Sequence, residues 1–194
     1  TIQTILVNPS ITNIEEINQL IKSSNSTIEI IEISNEVYKK LALRETTEGV
    51  LAIAKSKDLA LKNIQFKNEN PLVLVAEASE KPGNIGALLR TADAAGIDAV
   101  FIANLKTDIY NPNIIRSSVG CVFTTSIATG TTSEIISFLK ENKIDIYGAS
   151  LTASVEYQTI DYTKPSAIIV GTEATGLSDE WLQNTTKNII IPMR

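Results

Sequence analysis

Residues 72–95 read LVLVAEASEKPGNIGALLRTADAA, and this stretch decides the fold. Its first five residues are all apolar, as expected of a parallel strand that is covered on both faces. A turn with proline, glycine and asparagine follows and leads into a helix predicted over residues 85–95. The apolar side chains of that helix recur at the spacing of one helical face: Ile85, Leu88, Leu89 and Ala92. The stretch therefore predicts a strand, a turn and a helix that packs on the sheet.

The same alternation of strands and helices continues to the C-terminus. Strands are predicted at 99–103, 122–127, 145–149, 167–170 and 188–191, and helices near 113–117, 133–142 and 178–183. Alternation of this kind predicts an α/β fold with a mostly parallel sheet and helices on both faces. Ligands of such sheets lie at the carboxyl ends of the strands.

The first third of the chain forms a separate, smaller α/β unit. It combines strands predicted at 2–7, 27–33 and 50–54 with helices at 12–23 and 35–43. A polar stretch at 67–71, ending in Pro71, is the predicted linker. The predicted domains are therefore residues 1–66 and 72–194.

Composition excludes several functions. The 194 residues include no histidine and one cysteine, Cys121, so a zinc site is not expected and the commonest general base is missing. A single cysteine forms no disulfide within the chain, which indicates a reducing cytoplasm. No apolar run is long enough to cross a membrane. The net charge of −5 argues against strong, nonspecific binding to nucleic acid but leaves room for a local basic patch.

Three segments carry the residue types expected of a ligand site. In the helix after the first strand, Arg90 lies nearly opposite the apolar face and is either a solvated surface residue or a positioned cation. Residues 168–177, IIVGTEATGL, run from a strand into a loop that presents Glu173, either as a binding-site rim or as a solvated acid. The third segment, IIIPMR at 189–194, combines a strand and a proline.

In this order and spacing, the three segments resemble the motifs of the SpoU (TrmH-like) RNA 2′-O-ribose methyltransferase family of the SPOUT superfamily. NIGALLRTA at 84–92 resembles the first motif, and GTEATGL at 171–177 resembles the second, usually GNEGxGL. Residues 191–193 match the opening of the third. RSSVG at 116–120 resembles a segment between the first two. Thr172 and Ala174 depart from the second motif.

The resemblance implies a SPOUT-type fold, in which the C-terminal tail forms a trefoil knot. The tail that follows the third motif is missing from this sequence, so the catalytic domain is expected to be incomplete at its C-terminus. Residues 1–66 resemble, less distinctly, the L30e-type RNA-binding domain of members that modify ribosomal RNA. That domain is expected to be incomplete at its N-terminus.

The resemblance also implies S-adenosylmethionine as cofactor, RNA (23S-type ribosomal RNA) as substrate, and a homodimer with no metal. Asn84, Arg90 and Glu173 are the implied catalytic residues; because arginine stays protonated, Arg90 would bind phosphate or stabilise the alkoxide. The implied RNA contacts are Arg90, Arg116 and Ser118. The implied cofactor contacts are Ala149, Ser150, Leu151, Thr152, Gly171, Thr172, Glu173, Ile191 and Met193. Two alternatives remain open: a non-catalytic RNA- or nucleotide-binding module of the same fold, and a transfer RNA 2′-O-methyltransferase.

Overall fold

A computed structural model describes residues 1–22, 27–43, 48–77, 81–152 and 154–192. The chain divides into two compact units, Thr1–Lys57 and Asp58–Arg194. This boundary precedes the linker expected at 67–71. The physical reason is that Leu61, Ile64 and Phe66 pack against the core of the second unit, so the segment before Pro71 belongs to that unit.

The first unit is a small three-stranded sheet with two helices. The strand order is β2-β1-β3, with β2 parallel and β3 antiparallel to β1. Its core contains Val7 and Tyr38, and the Tyr38 hydroxyl accepts a hydrogen bond from the backbone N–H of Gly49 at 2.9 Å. The elements are β1 (Ile2–Val7), α1 (Ile14–Lys22), β2 (Glu29–Glu32), α2 (Asn35–Leu41) and β3 (Val50–Ala54).

The second unit is built on a seven-stranded sheet with the order β6-β5-β4-β9-β7-β10-β8. Every pair of neighbouring strands is parallel, which confirms the predicted α/β class. The strands are β4 (Leu72–Glu77), β5 (Ala99–Ala103), β6 (Ile127–Gly130), β7 (Asp145–Ala149), β8 (Val155–Glu156), β9 (Ser166–Val170) and β10 (Lys187–Ile190). The helices are α3 (Pro82–Ala94), α4 (Pro112–Ser117), α5 (Cys121–Thr124), α6 (Thr132–Glu141) and α7 (Asp179–Leu182).

Helices cover both faces of this sheet because its strands are apolar on both sides. In β5 all five residues are buried, and successive side chains point to opposite faces. Phe101 belongs to the cluster that includes Leu139 of α6 and Trp181 of α7. Ile102 belongs to the other cluster, which includes Leu89 of α3. The two apolar faces of one strand thus bind two layers of helices.

The prediction of a strand at 122–127 is wrong. Residues Cys121–Thr124 form the short helix α5, and the strand β6 begins only at Ile127. Gly120 adopts a left-handed conformation (φ 91°) before this helix, and Val122 is buried in the α3 cluster. A short apolar run cannot be assigned by periodicity alone, because a buried strand and a buried helical turn place similar residues in the core.

β10 is inserted between β7 and β8, although β8 precedes it in the chain. Ile189 pairs with Ala149 on one side and with Val155 on the other. The connection from Ala149 to Val155 therefore passes from one side of β10 to the other. The N–H of Ser150 donates to the carbonyl of Ile189 at 3.0 Å, so the start of this connection is bonded to the strand that it spans.

Each helix of the described ranges is too short or too polar to cross a lipid bilayer.

The contact between α3 and α4 requires a glycine at position 86. A Cβ built on Gly86 would overlap the Ser117 hydroxyl and lie 2.7 Å from the Ser118 backbone nitrogen. A Cβ on Gly83, in the same helix, meets no atom within 4 Å. We expect Gly86→Ala to lower the free energy of unfolding by about 1–3 kcal/mol through overpacking. Gly83→Ala should leave it unchanged or raise it by up to about 1 kcal/mol. Urea denaturation measures both, and equal effects of the two substitutions would contradict the close approach.

Candidate active site

Two hydrogen bonds to Glu173 join the loop after β9 to the beginning of α3. The Lys81 ammonium donates to Oε2 of Glu173 at 2.8 Å, and the Asn84 amide donates to Oε1 at 2.7 Å. Both carboxylate oxygens are therefore bound by one short stretch of chain. The Lys81–Glu173 pair is solvent-exposed, with side-chain exposures of 71% and 67%, so its role is geometric more than energetic.

These contacts change the pKa values of both charged groups. The pKa of Glu173 is held below its ordinary value, chiefly by the hydrogen bond from Lys81. The hydrogen bond from Asn84 and the positive charge of Lys81 lower it further. The hydrogen bond to Glu173 and its negative charge raise the pKa of Lys81. At neutral pH the site therefore contains an ionised carboxylate and a charged ammonium in contact.

The loop that carries Glu173 is tightly closed on itself. Thr172 and Gly176 exchange two backbone hydrogen bonds, of 3.0 and 3.1 Å, and Gly176 adopts a left-handed conformation (φ 71°). A Cβ on Gly171 would overlap the backbone of Gly176, so no larger residue fits there. The Thr172 hydroxyl accepts from the N–H of Thr175 at 3.0 Å. Thr172, which departs from the motif's asparagine, thus stabilises the turn.

An open cleft of about 730 Å³ lies beside this loop, at the carboxyl ends of β4 and β9. Charged and polar groups from four parts of the second unit line it. These are Glu77 at the end of β4, Lys81 and Asn84 at the beginning of α3, Lys106 after β5, and the segment from Val170 to Asp179.

The predicted cofactor segments lie at the same edge of the sheet. β7 and β10 are neighbours, and the Asn188 amide donates to the Thr152 carbonyl at 3.4 Å, which holds the segment after β7 against β10. Gly171 follows β9, the other neighbour of β7. The structure thus brings together Ala149, Ser150, Thr152, Gly171, Thr172 and Ile191 at the ends of adjacent strands. Leu151 and Ile191 are strongly exposed there, at 89% and 60%. Met193 lies outside the described residues.

The predicted catalytic residues are only partly brought together. Asn84 and Glu173 are in contact, whereas Arg90 lies farther along α3, on the exposed side, and does not line the cleft. Arg116 is exposed on α4. Within the described ranges, the guanidinium of neither arginine has a hydrogen bond or an ion pair with another residue.

The structure does not support an RNA contact by Ser118. Its side chain is fully buried, and its hydroxyl donates to the Ile115 carbonyl at 3.0 Å and accepts from the N–H of Val122 at 3.4 Å. Ser118 instead joins α4 to α5. The reason is the close approach of α4 to Gly86, which turns this part of the helix inward.

Lys81 and Glu77 are among the residues of the cleft that sequence reasoning missed. Lys81 lies just before the proline that begins α3, where a lysine has no distinctive pattern. Glu77 ends an apolar strand, and this acid in an otherwise apolar run was the available signal. Within the described part of the chain, no group of acidic or cysteine side chains is arranged to hold a metal ion.

The chain belongs to the SpoU rRNA Methylase family, whose model matches residues 71–194. It is similar to a 23S rRNA (guanosine(2553)-2′-O)-methyltransferase of Bacillus subtilis, with 29% identity over 83% of this chain and 62% of the relative. It is also similar to an uncharacterised tRNA/rRNA methyltransferase of Synechocystis, with 32% identity over 82% of this chain and 58% of the relative. The chain thus spans less than two thirds of either protein.

Solved structures show the same fold. An RNA 2′-O ribose methyltransferase is similar over 100% of this chain and 73% of its own, with 34% identity and a TM-score of 0.76. An rRNA methyltransferase of Sinorhizobium meliloti with bound AdoMet is similar over 100% of this chain and 72% of its own. Its identity is 26% and its TM-score 0.84.

The lowered pKa of Glu173 provides a test of the contacts around it. We expect Lys81→Met and Asn84→Ala each to raise the pKa of Glu173 toward the ordinary value of about 4.3, because each removes a donor to the ionised form. Because the folded state lowers this pKa, the stabilisation is present above the ordinary value and is lost as the pH falls through the folded-state pKa. NMR titration of the side-chain carboxyl carbon measures the change.

Lys164→Met is the matched control for this titration. Lys164 lies just before β9, at the amino-end edge of the sheet, so its removal should leave the pKa of Glu173 unchanged. An unchanged Glu173 pKa in both Lys81→Met and Asn84→Ala would contradict the observed contacts.

Proposed function

We propose that this chain transfers a methyl group from S-adenosylmethionine to a ribose 2′-hydroxyl of RNA, with 23S-type ribosomal RNA as substrate. The observation that carries the proposal is the convergence of the first two motif segments, with Ile191 of the third, at one edge of the sheet, where Asn84 and Glu173 are in contact. The Bacillus subtilis relative is named for this reaction on 23S rRNA, and a relative of this fold holds AdoMet. Together these findings favour an enzyme over a module that only binds RNA.

The residues at the edge fit a nucleoside-type cofactor. Leu151 and Ile191 expose apolar side chains, which suits a flat, largely apolar ring, while Ser150 and Thr152 provide hydroxyl and backbone groups next to them. We assign the cofactor to residues 149–152, 171–173 and 191–193. When bound, its sulfonium supplies an activated methyl group.

The chain's own side chains would position the ribose and stabilise developing charge. Transfer to the 2′-hydroxyl requires that the hydroxyl lose its proton, and the chain has no histidine to accept it. Asn84 and Glu173 hold the rim of the cleft in a fixed geometry, which supports in-line alignment of the reacting groups. Arg90 would bind a phosphate or stabilise the alkoxide.

The position of Arg90 favours a composite site in a homodimer. Arg90 is exposed and lies outside the cleft of its own chain, so its guanidinium would act on the cleft of a second copy. Arg116, also exposed, would bind RNA phosphate. We assign the first unit, Thr1–Lys57, an RNA-binding role of the L30e type. A ribosomal RNA substrate and a single cysteine favour the cytoplasm as the compartment.

Calorimetry with S-adenosylmethionine and a methyl-transfer assay on ribosomal RNA test the proposal. We expect the wild-type protein to bind the cofactor, and Arg90→Ala to retain binding while losing about a hundredfold or more in turnover, the usual effect of removing one charge-stabilising group. Lys164→Ala, at the opposite edge of the sheet, is the control and should keep both activities. RNA binding that is indifferent to S-adenosylmethionine, with no methylated product, would instead indicate a non-catalytic module.

Mixing two inactive variants tests the composite site. Arg90→Ala lacks the cation, and Gly171→Val distorts the cofactor loop, because a side chain there overlaps Gly176. If Arg90 acts on the partner's cleft, a mixed dimer contains one intact site, and re-equilibrated mixtures should regain about a quarter of the wild-type activity. Mixtures that stay inactive although the variants form mixed dimers would place Arg90 and the cleft within one chain.

A further inference from the structure

We propose that Glu77 is a positioning residue of this site, whose buried carboxylate fixes the loop that carries Glu173. This loop, residues 171–178, lines the cleft and contains the second motif. The link between this loop and cofactor binding rests on the proposed function. The positioning role of Glu77 rests only on contacts within the second unit.

Glu77 is a buried acid at the end of a central strand. It is the last residue of β4, between β5 and β9, and it is only 6% exposed. Its Oε2 accepts a hydrogen bond from the backbone N–H of Ser178 at 2.8 Å. A carboxylate that loses its water on burial needs such a donor, and a hydrogen bond to an ionised group is stronger than one between neutral groups.

This bond connects segments that are 101 residues apart in sequence. On one side it holds Ser178, the residue that precedes α7 and ends the 171–178 loop. On the other side it is anchored at Glu77, the last residue of β4. The two donors to Glu173, Lys81 and Asn84, come later in the same part of the sequence. The bond therefore ties the far end of the loop that carries Glu173 to the carboxyl end of β4.

Other contacts of the 171–178 loop link the position of Ser178 to that of Glu173. Residue 171 follows β9 directly, so the first end of the loop is fixed by the sheet. The paired hydrogen bonds of Thr172 and Gly176 make the turn rigid, and Leu177 is buried in the core. Glu173 lies between these anchors, so a shift of Ser178 would move the whole turn and separate Glu173 from Asn84.

Two substitutions remove the same bond from opposite ends. Glu77→Ala deletes the acceptor. Ser178→Pro deletes the N–H, and the φ of Ser178, −68°, already suits proline. Glu77→Gln retains an oxygen that accepts the bond. The matched control is Asp98→Ala, because the Asp98 carboxylate accepts from the backbone N–H of Leu72 at the same distance, 2.8 Å, but at the opposite end of β4.

The first measurement is the pKa of Glu173, by NMR titration of the folded variants. We expect Glu77→Ala and Ser178→Pro to raise this pKa toward its ordinary value, Glu77→Gln to restore the wild-type value, and Asp98→Ala to leave it unchanged even where it lowers the unfolding midpoint. The double variant Glu77→Ala/Ser178→Pro should shift the pKa no more than either single variant does. If Glu77→Ala does not fold, the Glu173 pKa in Ser178→Pro tests the proposal, because this variant leaves the carboxylate in place. A wild-type Glu173 pKa in the folded variants would overturn the proposal.

The second measurement is S-adenosylmethionine binding by calorimetry. We expect the dissociation constant to rise about tenfold or more in Glu77→Ala and Ser178→Pro, because both lose the hydrogen bond that orders the site. It should stay within about threefold in Glu77→Gln, which keeps an acceptor for that bond. Unchanged binding in Glu77→Ala would overturn the link between Glu77 and the cofactor site. A wild-type protein that does not bind would contradict the proposed function alone, because the Glu173 titration decides the positioning role by itself.

Discussion

The parallel direction of all seven strands in the second unit is the constraint on which the rest of the structure depends. Because every strand runs the same way, every connection that leaves a strand begins at the same edge of the sheet. The ends of β4, β7, β9 and β10 therefore lie at one edge of the sheet, although β4 ends at Glu77 and β10 at Ile190. Apolar residues on both faces leave this edge as the place where polar groups gather.

At this edge, acidic side chains join segments that the sheet only brings near one another. Glu173 is held by two donors at the beginning of α3, and Glu77 holds the far end of the loop that contains Glu173. Glu173 is exposed and Glu77 is buried, so their hydrogen bonds have different roles. The exposed pair is screened by water and mainly selects a geometry, whereas a buried carboxylate requires its donor. The cleft is therefore organised by a few directional bonds on a rigid apolar support.

The insertion of β10 gives the same edge its second feature. Since β10 lies between β7 and β8, the segment after β7 must pass across it, and Ser150 and Asn188 bond the two together. This arrangement places hydroxyl groups beside the exposed Leu151 and Ile191. A site with one apolar and one polar side suits a nucleoside, and membership of the SpoU rRNA Methylase family agrees with that chemistry. In the composite site that we propose, Arg90 is the group that a second copy would supply.

The sequence by itself determined the class of fold, the approximate limits of most strands and helices, and the segments that contain the site. Strands such as β5 are apolar throughout, and the α3 pattern repeats at helical spacing, so local sequence is enough. Only the tertiary structure decided that residues 121–124 are helical, that Ser118 is buried and that Arg90 lies outside the cleft. It also decided that β10 enters between β7 and β8, and that Lys81 and Glu77 belong to the site. These features depend on contacts between residues far apart in sequence, where burial and the direction of a hydrogen bond, not residue type, determine what a side chain does.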